Sequence, residues 1–338
     1  MERVPVAIVG VGSWGINHLR VFARESSANI RWVCDSDALA LARCGEFAPT
    51  ARLTTDLDAV LDDQDIVGVI IATPAPTHAE LACRALAAGK HILVEKPLAL
   101  NLEDAERVRR ASTTTGRSVV VGHLMIYHPA LVQLRELLRS GELGTVRYLH
   151  STRVNLGRHR RDENALWSFG PHDVSMLDYL LGLTPSSVAA QGGAYLQDGI
   201  EDIVFITLRF PNAVMGHIHL SWLNPRKERR LTIVGSAKMA ELDDVSQEKL
   251  RVFDRGYDTP PAFTQYGEYL TIRQGGVHLP PVTMEEPLGV MARHFLDCCR
   301  GVAEPLTDAE SGVRIVRVLT AAQESLRLKG ASVFLSNP

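Results

Sequence analysis

The chain has 338 residues, 46% of them hydrophobic, which is enough for two domains of about 150 residues each with sizeable cores. Lysine plus arginine (36) against aspartate plus glutamate (39) gives a net charge of −3, so the global basic field of a dedicated nucleic-acid binder is missing and no nucleic-acid partner is expected. The five cysteines (Cys34, Cys44, Cys83, Cys298, Cys299) are odd in number and contain no C-x-x-C, a pattern that suits a reducing cytosol. The N-terminus runs straight into a short apolar segment without a basic leader or cleavage site, and no 18 uninterrupted apolar residues follow. The expectation is a soluble cytoplasmic protein with no membrane partner.

From Val4 to about Val121 the short β-branched runs VPVAIV, IRWVC, IVGVIIA, HILVE and SVVVG alternate with longer amphipathic stretches. Strands apolar on both faces and separated by helices mean right-handed βαβ crossovers and a parallel sheet. Residues 1–122 are therefore predicted to form a doubly wound α/β domain.

After Gly122 the rhythm changes. A helix is predicted from about Pro129 to Ser140, then a strand (VRYLHSTRVNL), then a short helix from Pro171 to Leu181. The segments VAAQGGAYLQ, DIVFITLRF, VMGHIHLSWL, RRLTIVG and MAELDD follow in succession, joined by short turn sequences such as Phe210-Pro211-Asn212-Ala213. A helix pair, Leu288 to Cys299 and Asp308 to Leu328, closes the chain. Strands in sequence rather than in alternation predict an α+β domain over residues 123–338, with an open-faced, mainly antiparallel sheet. There is no internal repeat and no low-complexity linker.

Gly10-x-Gly12-x-x-Gly15 directly follows the first strand and, with Ser13 and Trp14 between its glycines, opens the first helix. Gly10 permits the tight turn, Gly12 lets the backbone approach a pyrophosphate, and Gly15 allows close helix–strand packing, with the helix N-terminus aimed at the anion. Three glycines alone occur in ordinary turns; their place between strand and helix points to a Rossmann dinucleotide site. Asp35 lies 20 residues beyond Gly15 at the end of the second strand, where a carboxylate accepts hydrogen bonds from the adenosine ribose and repels a 2′-phosphate. NAD is expected rather than NADP. Asp37 competes for this role.

The third-strand exit reads Ala72-Thr73-Pro74-Ala75-Pro76-Thr77-His78, at the carboxyl edge of the parallel sheet where such folds bind ligands. His78 either contacts the cofactor or packs at the start of the next helix. Glu95-Lys96-Pro97 leaves the fourth strand at the same edge. A lysine there offers a cation that polarises a carbonyl oxygen or holds the alkoxide formed as hydride leaves.

In order and spacing, Gly10-x-Gly12-x-x-Gly15, Ala72-Thr73-Pro74 with His78, Glu95-Lys96-Pro97 and Tyr127-His128-Pro129 resemble the Gfo/Idh/MocA oxidoreductases, and the resemblance extends to the end of the chain. It implies an N-terminal Rossmann domain coupled to a C-terminal α/β domain with an open-faced sheet. It also implies action on sugars, inositols or nucleotide sugars, with Lys96 catalytic and Glu95 beside the cofactor. The family's second signature places an aspartate four residues before a histidine. Here Ser168-Phe169-Gly170-Pro171-His172-Asp173 keeps the histidine and replaces the aspartate by Ser168, which leaves proton relay through that position in doubt.

Taken with the residues around it, His172 falls in the first turn of the predicted helix, whose Val174, Leu177, Leu180 and Leu181 form a buried stripe. The positive helix end there is expected to keep the ring neutral, the state a general base requires. An N-terminal capping histidine is the plainer alternative.

The segment from Arg153 to Trp167 carries Arg153, Asn155, Arg158, Arg161 and Asn164. It is either a solvated loop or an anion clamp in which Arg153, Arg158 and Arg161 grip a carboxylate or diphosphate by bidentate hydrogen bonds. Its pattern, Asn-Leu-Gly, then Arg, then Asn164-x-Leu-Trp167-Ser168, resembles family members of surface-polysaccharide and nucleotide-sugar pathways, which favours a nucleotide-sugar or uronate substrate. His123 and Tyr127 follow the last parallel strand and border the nicotinamide or substrate, although Tyr127 suits packing equally. His217 and His219 share one strand face, but no third ligand is apparent and no metal is expected.

The resulting expectation is an NAD-dependent oxidoreductase with the substrate carbinol between Lys96 and His172. A free sugar or inositol dehydrogenase is the alternative within that class. A non-catalytic dinucleotide-sensing regulator on the same fold is the alternative of another class. An open sheet face needs a partner, so a homodimer or homotetramer is expected.

Overall fold

The computed structural model describes residues 3–157, 163–258 and 271–335. Two units are distinguished by their internal contacts: residues 1–128 with 285–317, and residues 129–284 with 318–338.

In the first unit the predicted strands appear as β1 (Val4–Val9), β2 (Ala28–Cys34), β4 (Gly68–Ile71), β5 (His91–Val94) and β6 (Val119–Val121), joined by a short edge strand, β3 (Arg52–Thr54), that hydrophobic patterning misses. All pair in parallel, in the order β3-β2-β1-β4-β5-β6. β4, β5 and β6 are buried at every position, as a sheet covered on both faces demands. The crossovers carry α1 (Gly15–Arg24), α2 (Ala38–Leu41), α3 (Leu57–Leu61), α4 (His78–Ala87) and α5 (Leu102–Thr115). The order reverses at β1/β4, so the turns after β1, β4 and β5 leave the sheet at one edge beside that reversal, where α/β sheets hold ligands.

The second unit holds α6 (Pro129–Arg139), β7 (Val146–Val154) and α7 (Ala165–Leu181), followed by the strands β8 (Ser187–Gly193), β9 (Ile203–Arg209), β10 (Met215–Ser221), β11 (Glu228–Gly235) and β12 (Met239–Asp243). These join β13 (Leu250–Asp258), β14 (Thr271–His278) and the short β15 (Val333–Phe334) in one sheet, ordered β14-β13-β12-β11-β7-β10-β9-β8-β15. Every pairing is antiparallel except β7 with β10. β13 and β14 escaped the sequence reading because little of them is buried, so they lack the alternating apolar pattern that identified their neighbours. β9 alternates cleanly: Val204, Ile206 and Leu208 point inward, and Phe205 outward at 41% exposure. α7 packs on β7, β9 and β10.

The helix after residue 285, α8 (Pro287–Cys299), belongs to the first unit, as do the opening turns of the last helix, α9 (Ala309–Arg327). The sequence reading placed the whole of 123–338 in the second domain. The difference arises because α8 is apolar along one side, with Leu288, Met291, Phe295 and Leu296 buried, and that side lies on α1, where Phe295 meets Phe22 edge to face at 6.3 Å. No helix among the described residues is long and apolar enough to cross a membrane.

Replacing Phe295 by Ala should cost about 3–5 kcal/mol, since it empties a fully buried aromatic site. Urea unfolding reads this as a lowered midpoint. An unshifted midpoint would mean that residues 285–317 are peripheral to the first unit.

Candidate active site

The glycine loop is built by close approach. Gly10 has φ +88°, and a Cβ on it would lie 2.8 Å from the backbone of Ala72 and Thr73. A Cβ on Gly15 would meet the Gly10 carbonyl oxygen at 1.9 Å. In contrast, nothing lies within 4 Å of the Cβ position of Gly12, the open side from which a pyrophosphate approaches. Trp14 occupies the N-cap of α1 and makes no side-chain cap bond, leaving the positive helix end to an anion.

Asp35 stands at the end of β2. Its Oδ2 accepts the Val11 N–H at 2.7 Å and its Oδ1 the Asp37 N–H at 2.9 Å, so the carboxylate braces the loop and retains lone pairs for ribose hydroxyls. Asp37 is the N-cap of α2, its Oδ1 accepting the Leu39 N–H. These features fit NAD: a cradle open at Gly12, an anion-ready helix end, and a carboxylate that opposes a 2′-phosphate.

At the carboxyl edge of β4, Thr73 and Thr77 join through their hydroxyls at 2.7 Å, and Pro74 begins the following turn. His78 is buried, with Nδ1 2.7 Å from the Pro97 carbonyl and Nε2 2.9 Å from the Thr73 carbonyl. It lies between two edge turns, and whichever ring nitrogen carries the N–H donates to the carbonyl it faces. The Lys96–Pro97 peptide is cis.

Glu95 is the centre of this edge. Its Oε1 accepts from Trp14 Nε1 at 2.6 Å and from His18 Nε2 at 2.7 Å, and its Oε2 accepts the Lys96 N–H at 3.2 Å. Burial alone would push the carboxyl up, but the bonds from His18 and Trp14 and the Lys96 charge outweigh it and hold Glu95 below the ordinary carboxylate range. Gly122 makes room for this carboxylate, since a Cβ there would come within 3.1 Å of it. His18 was not singled out from the sequence. The available signal was its spacing: it lies four residues after Trp14, on the same face of α1.

His123, expected beside the nicotinamide, is buried with neither ring nitrogen partnered. Burial first, and the Lys96 charge after it, lower its pKa to about 3, against the opposing pull of Glu95. Buried polar atoms are ordinarily hydrogen-bonded, so two unpartnered ring nitrogens are an exception here. Tyr127 is buried instead in the unit's own packing, with its hydroxyl 3.3 Å from Thr307 Oγ1 and its ring against His294.

In the second unit α7 differs from expectation. Asn164 is its N-cap, its side chain accepting the Trp167 N–H at 3.1 Å, so the helix starts six residues before Pro171. Pro171 sits inside the helix although proline usually opens one. His172 is thus mid-helix and half-buried rather than in the first turn, and the helix end does not act on it. Ser168 lies one turn before it and is buried.

Arg153 is also not a free anion clamp. It is buried, and its Nε donates to Asp173 Oδ2 at 2.6 Å, while Ser151 Oγ donates to Oδ1 of the same carboxylate. Asn164 and Trp167 both donate to Gln323 Oε1, and Asn164 also to Glu201, bonds internal to the unit. Asn155 keeps a buried Oδ1 without a partner. Arg158 and Arg161 lie outside the described residues. His217 and His219 lie on the outward sheet face, where Phe205 stacks on both and His150 stands beside His217. Burial lowers the pKa of all three histidines. Among the described residues there is no group of three or more metal-ligating side chains.

The His123 ring should stay neutral from pH 5 to 8. An unfolded chain binds this proton near 6.5 and the folded one only near 3, so the group's contribution to stability falls as pH drops through that window. Histidine ring chemical shifts across a pH titration check this; a His123 inflection near neutrality would contradict the buried site.

Residues 4–123 match the model of the oxidoreductase family with an NAD-binding Rossmann fold (Gfo/Idh/MocA), and residues 131–241 match the Gfo/Idh/MocA C-terminal domain. The inositol 2-dehydrogenase 2 of Saccharopolyspora erythraea is 29% identical over 222 residues, covering 64% of this chain and 66% of that protein, just under two thirds of its length. The UDP-N-acetylglucosamine 3-dehydrogenase of Acidithiobacillus ferrooxidans is 27% identical over 90% of this chain and 93% of its own. Among solved structures, an oxidoreductase from Magnetospirillum magnetotacticum, whose function its description leaves open, is 35% identical with a TM-score of 0.81, covering 95% of this chain and 99% of that one. GenD2 from gentamicin A biosynthesis, in complex with NAD, is 25% identical with a TM-score of 0.83, covering 100% of this chain and 97% of that one.

Proposed function

The chain belongs to the Gfo/Idh/MocA family of NAD-binding oxidoreductases, and from that premise we propose that it interconverts a secondary alcohol and a ketone on a nucleotide sugar or uronate. The observation that carries this reading is Lys96, presented in the turn after β5 with its backbone N–H fixed by Glu95. NAD, when bound, supplies the hydride acceptor. The Lys96 ammonium holds the carbinol oxygen and stabilises the alkoxide that forms. His172 of α7 takes the hydroxyl proton and returns it in the reverse direction. With Ser168 where the family carries an aspartate, position 168 supplies no carboxylate to the relay. His123, neutral and with both nitrogens open, orients the nicotinamide amide or a neighbouring sugar hydroxyl.

The nucleotide-sugar class is supported by the near full-length likeness to a UDP-N-acetylglucosamine dehydrogenase. One observation favours a free sugar or inositol instead: Arg153 is already neutralised by Asp173. A panel of nucleotide sugars, uronates, free sugars and inositols, followed by NADH absorbance, separates the two. The five cysteines are all unpaired, which supports a reducing cytoplasmic setting. The outward sheet face leaves Tyr148, Phe205 and Met215 half-exposed, which supports a homodimer or homotetramer; light scattering of a monomer would count against it.

Lys96→Met should lower kcat by about 10²–10³-fold, the effect of losing one oxyanion donor, while leaving NAD affinity nearly intact. Turnover at the wild-type rate would remove the mechanism.

A further inference from the structure

The buried pair at the sheet edge goes unused in the chemistry above. His18 is fully buried in α1, and Glu95, 8% exposed, receives both His18 Nε2 and Trp14 Nε1 on the same oxygen. The other carboxylate oxygen accepts the backbone N–H of Lys96. An ionised carboxylate only accepts, so His18 must donate from Nε2; its Nδ1 is buried without a partner. Such a polar arrangement is costly to bury. Its geometry has one evident effect. It connects the helix that starts at the glycine loop with the turn that carries the lysine.

We propose that His18 is a positioning residue for Lys96: through Glu95 it holds the lysine-bearing turn in register with the cofactor loop, with Trp14 as the second tether. The inference rests on the reading of Lys96 as the oxyanion-holding group. It predicts that loss of the His18 donor loosens the turn without removing any group that touches substrate. Misplacement of a reacting group by about an ångström costs on the order of 100-fold in rate.

The test uses His18→Leu, His18→Gln and Trp14→Phe in the full-length protein, each first checked for thermal unfolding. Trp14 is 44% exposed, so Trp14→Phe keeps the proposal falsifiable if His18→Leu does not fold. The substrate-free readout is competitive acetylation with acetic anhydride, following the peptide that contains Lys96 against surface lysines. His18→Leu should raise labelling of Lys96 about fivefold or more as the turn loosens, Trp14→Phe should raise it less, and His18→Gln, which keeps a donor, should restore most of the protection.

With the substrate identified by the panel, kcat should fall on the order of 100-fold in His18→Leu at nearly constant KM for NAD, and His18→Gln should recover most of it. The groups that face Glu95 are His18, Lys96 and His123. Without the His18 bond the carboxyl protonates at higher pH, so the acid limb of the rate profile should move toward neutrality. Wild-type labelling and wild-type kcat in folded His18→Leu, or in Trp14→Phe if the former does not fold, would overturn the proposal. Lys96→Met run in parallel tells the two failures apart. If that variant is inactive while the His18 variants are unaffected, only the positioning role falls; if it is fully active, the reading of Lys96 itself falls.

Discussion

A single buried carboxylate organises the edge of the parallel sheet. Glu95 cannot be left unpaired in a dry site, so the surrounding chain supplies donors from α1 and from its own turn. That requirement explains several choices at once: an indole at the helix cap where a small capping residue is usual, a histidine one turn later, and a glycine after β6 that leaves the acid its space. The lysine beside it inherits a fixed backbone. His78, wedged between two carbonyls of neighbouring turns, extends the same bracing to the exit of β4.

Much of the first unit was legible because its signals are local. A strand buried on both faces reads as a short β-branched run, and the glycine spacing is dictated by contacts a Cβ would abolish. Asp35 is legible as a candidate from its distance to Gly15, whereas the capping of the short helix after β2 by Asp37 shows only in the fold. His18 was not visible, because its meaning depends on an acid 77 residues away. Sequence spacing reports neighbours on one helix, not partners brought together by crossovers.

In the second unit the misreadings share a cause. Pro171 reads in the sequence as the beginning of α7, whereas Asn164 caps the helix and Pro171 is accommodated inside. The arginine at the end of β7 was read by its charge, and the fold neutralises that charge with the aspartate next to His172 in sequence. Patterning finds sheet strands with a buried face and passes over β13 and β14, which have little of one.

The carboxylate at the end of β2 carries two duties that an engineer would want to separate. Cofactor-swapping strategies replace such an acid with a small or basic side chain to admit a phosphorylated ribose. Here that exchange would also strip the acceptor from two main-chain amides, one of them inside the glycine turn. Any redesign toward the phosphorylated dinucleotide therefore has to return an oxygen to the same spot, or it trades preference for a slackened nucleotide grip.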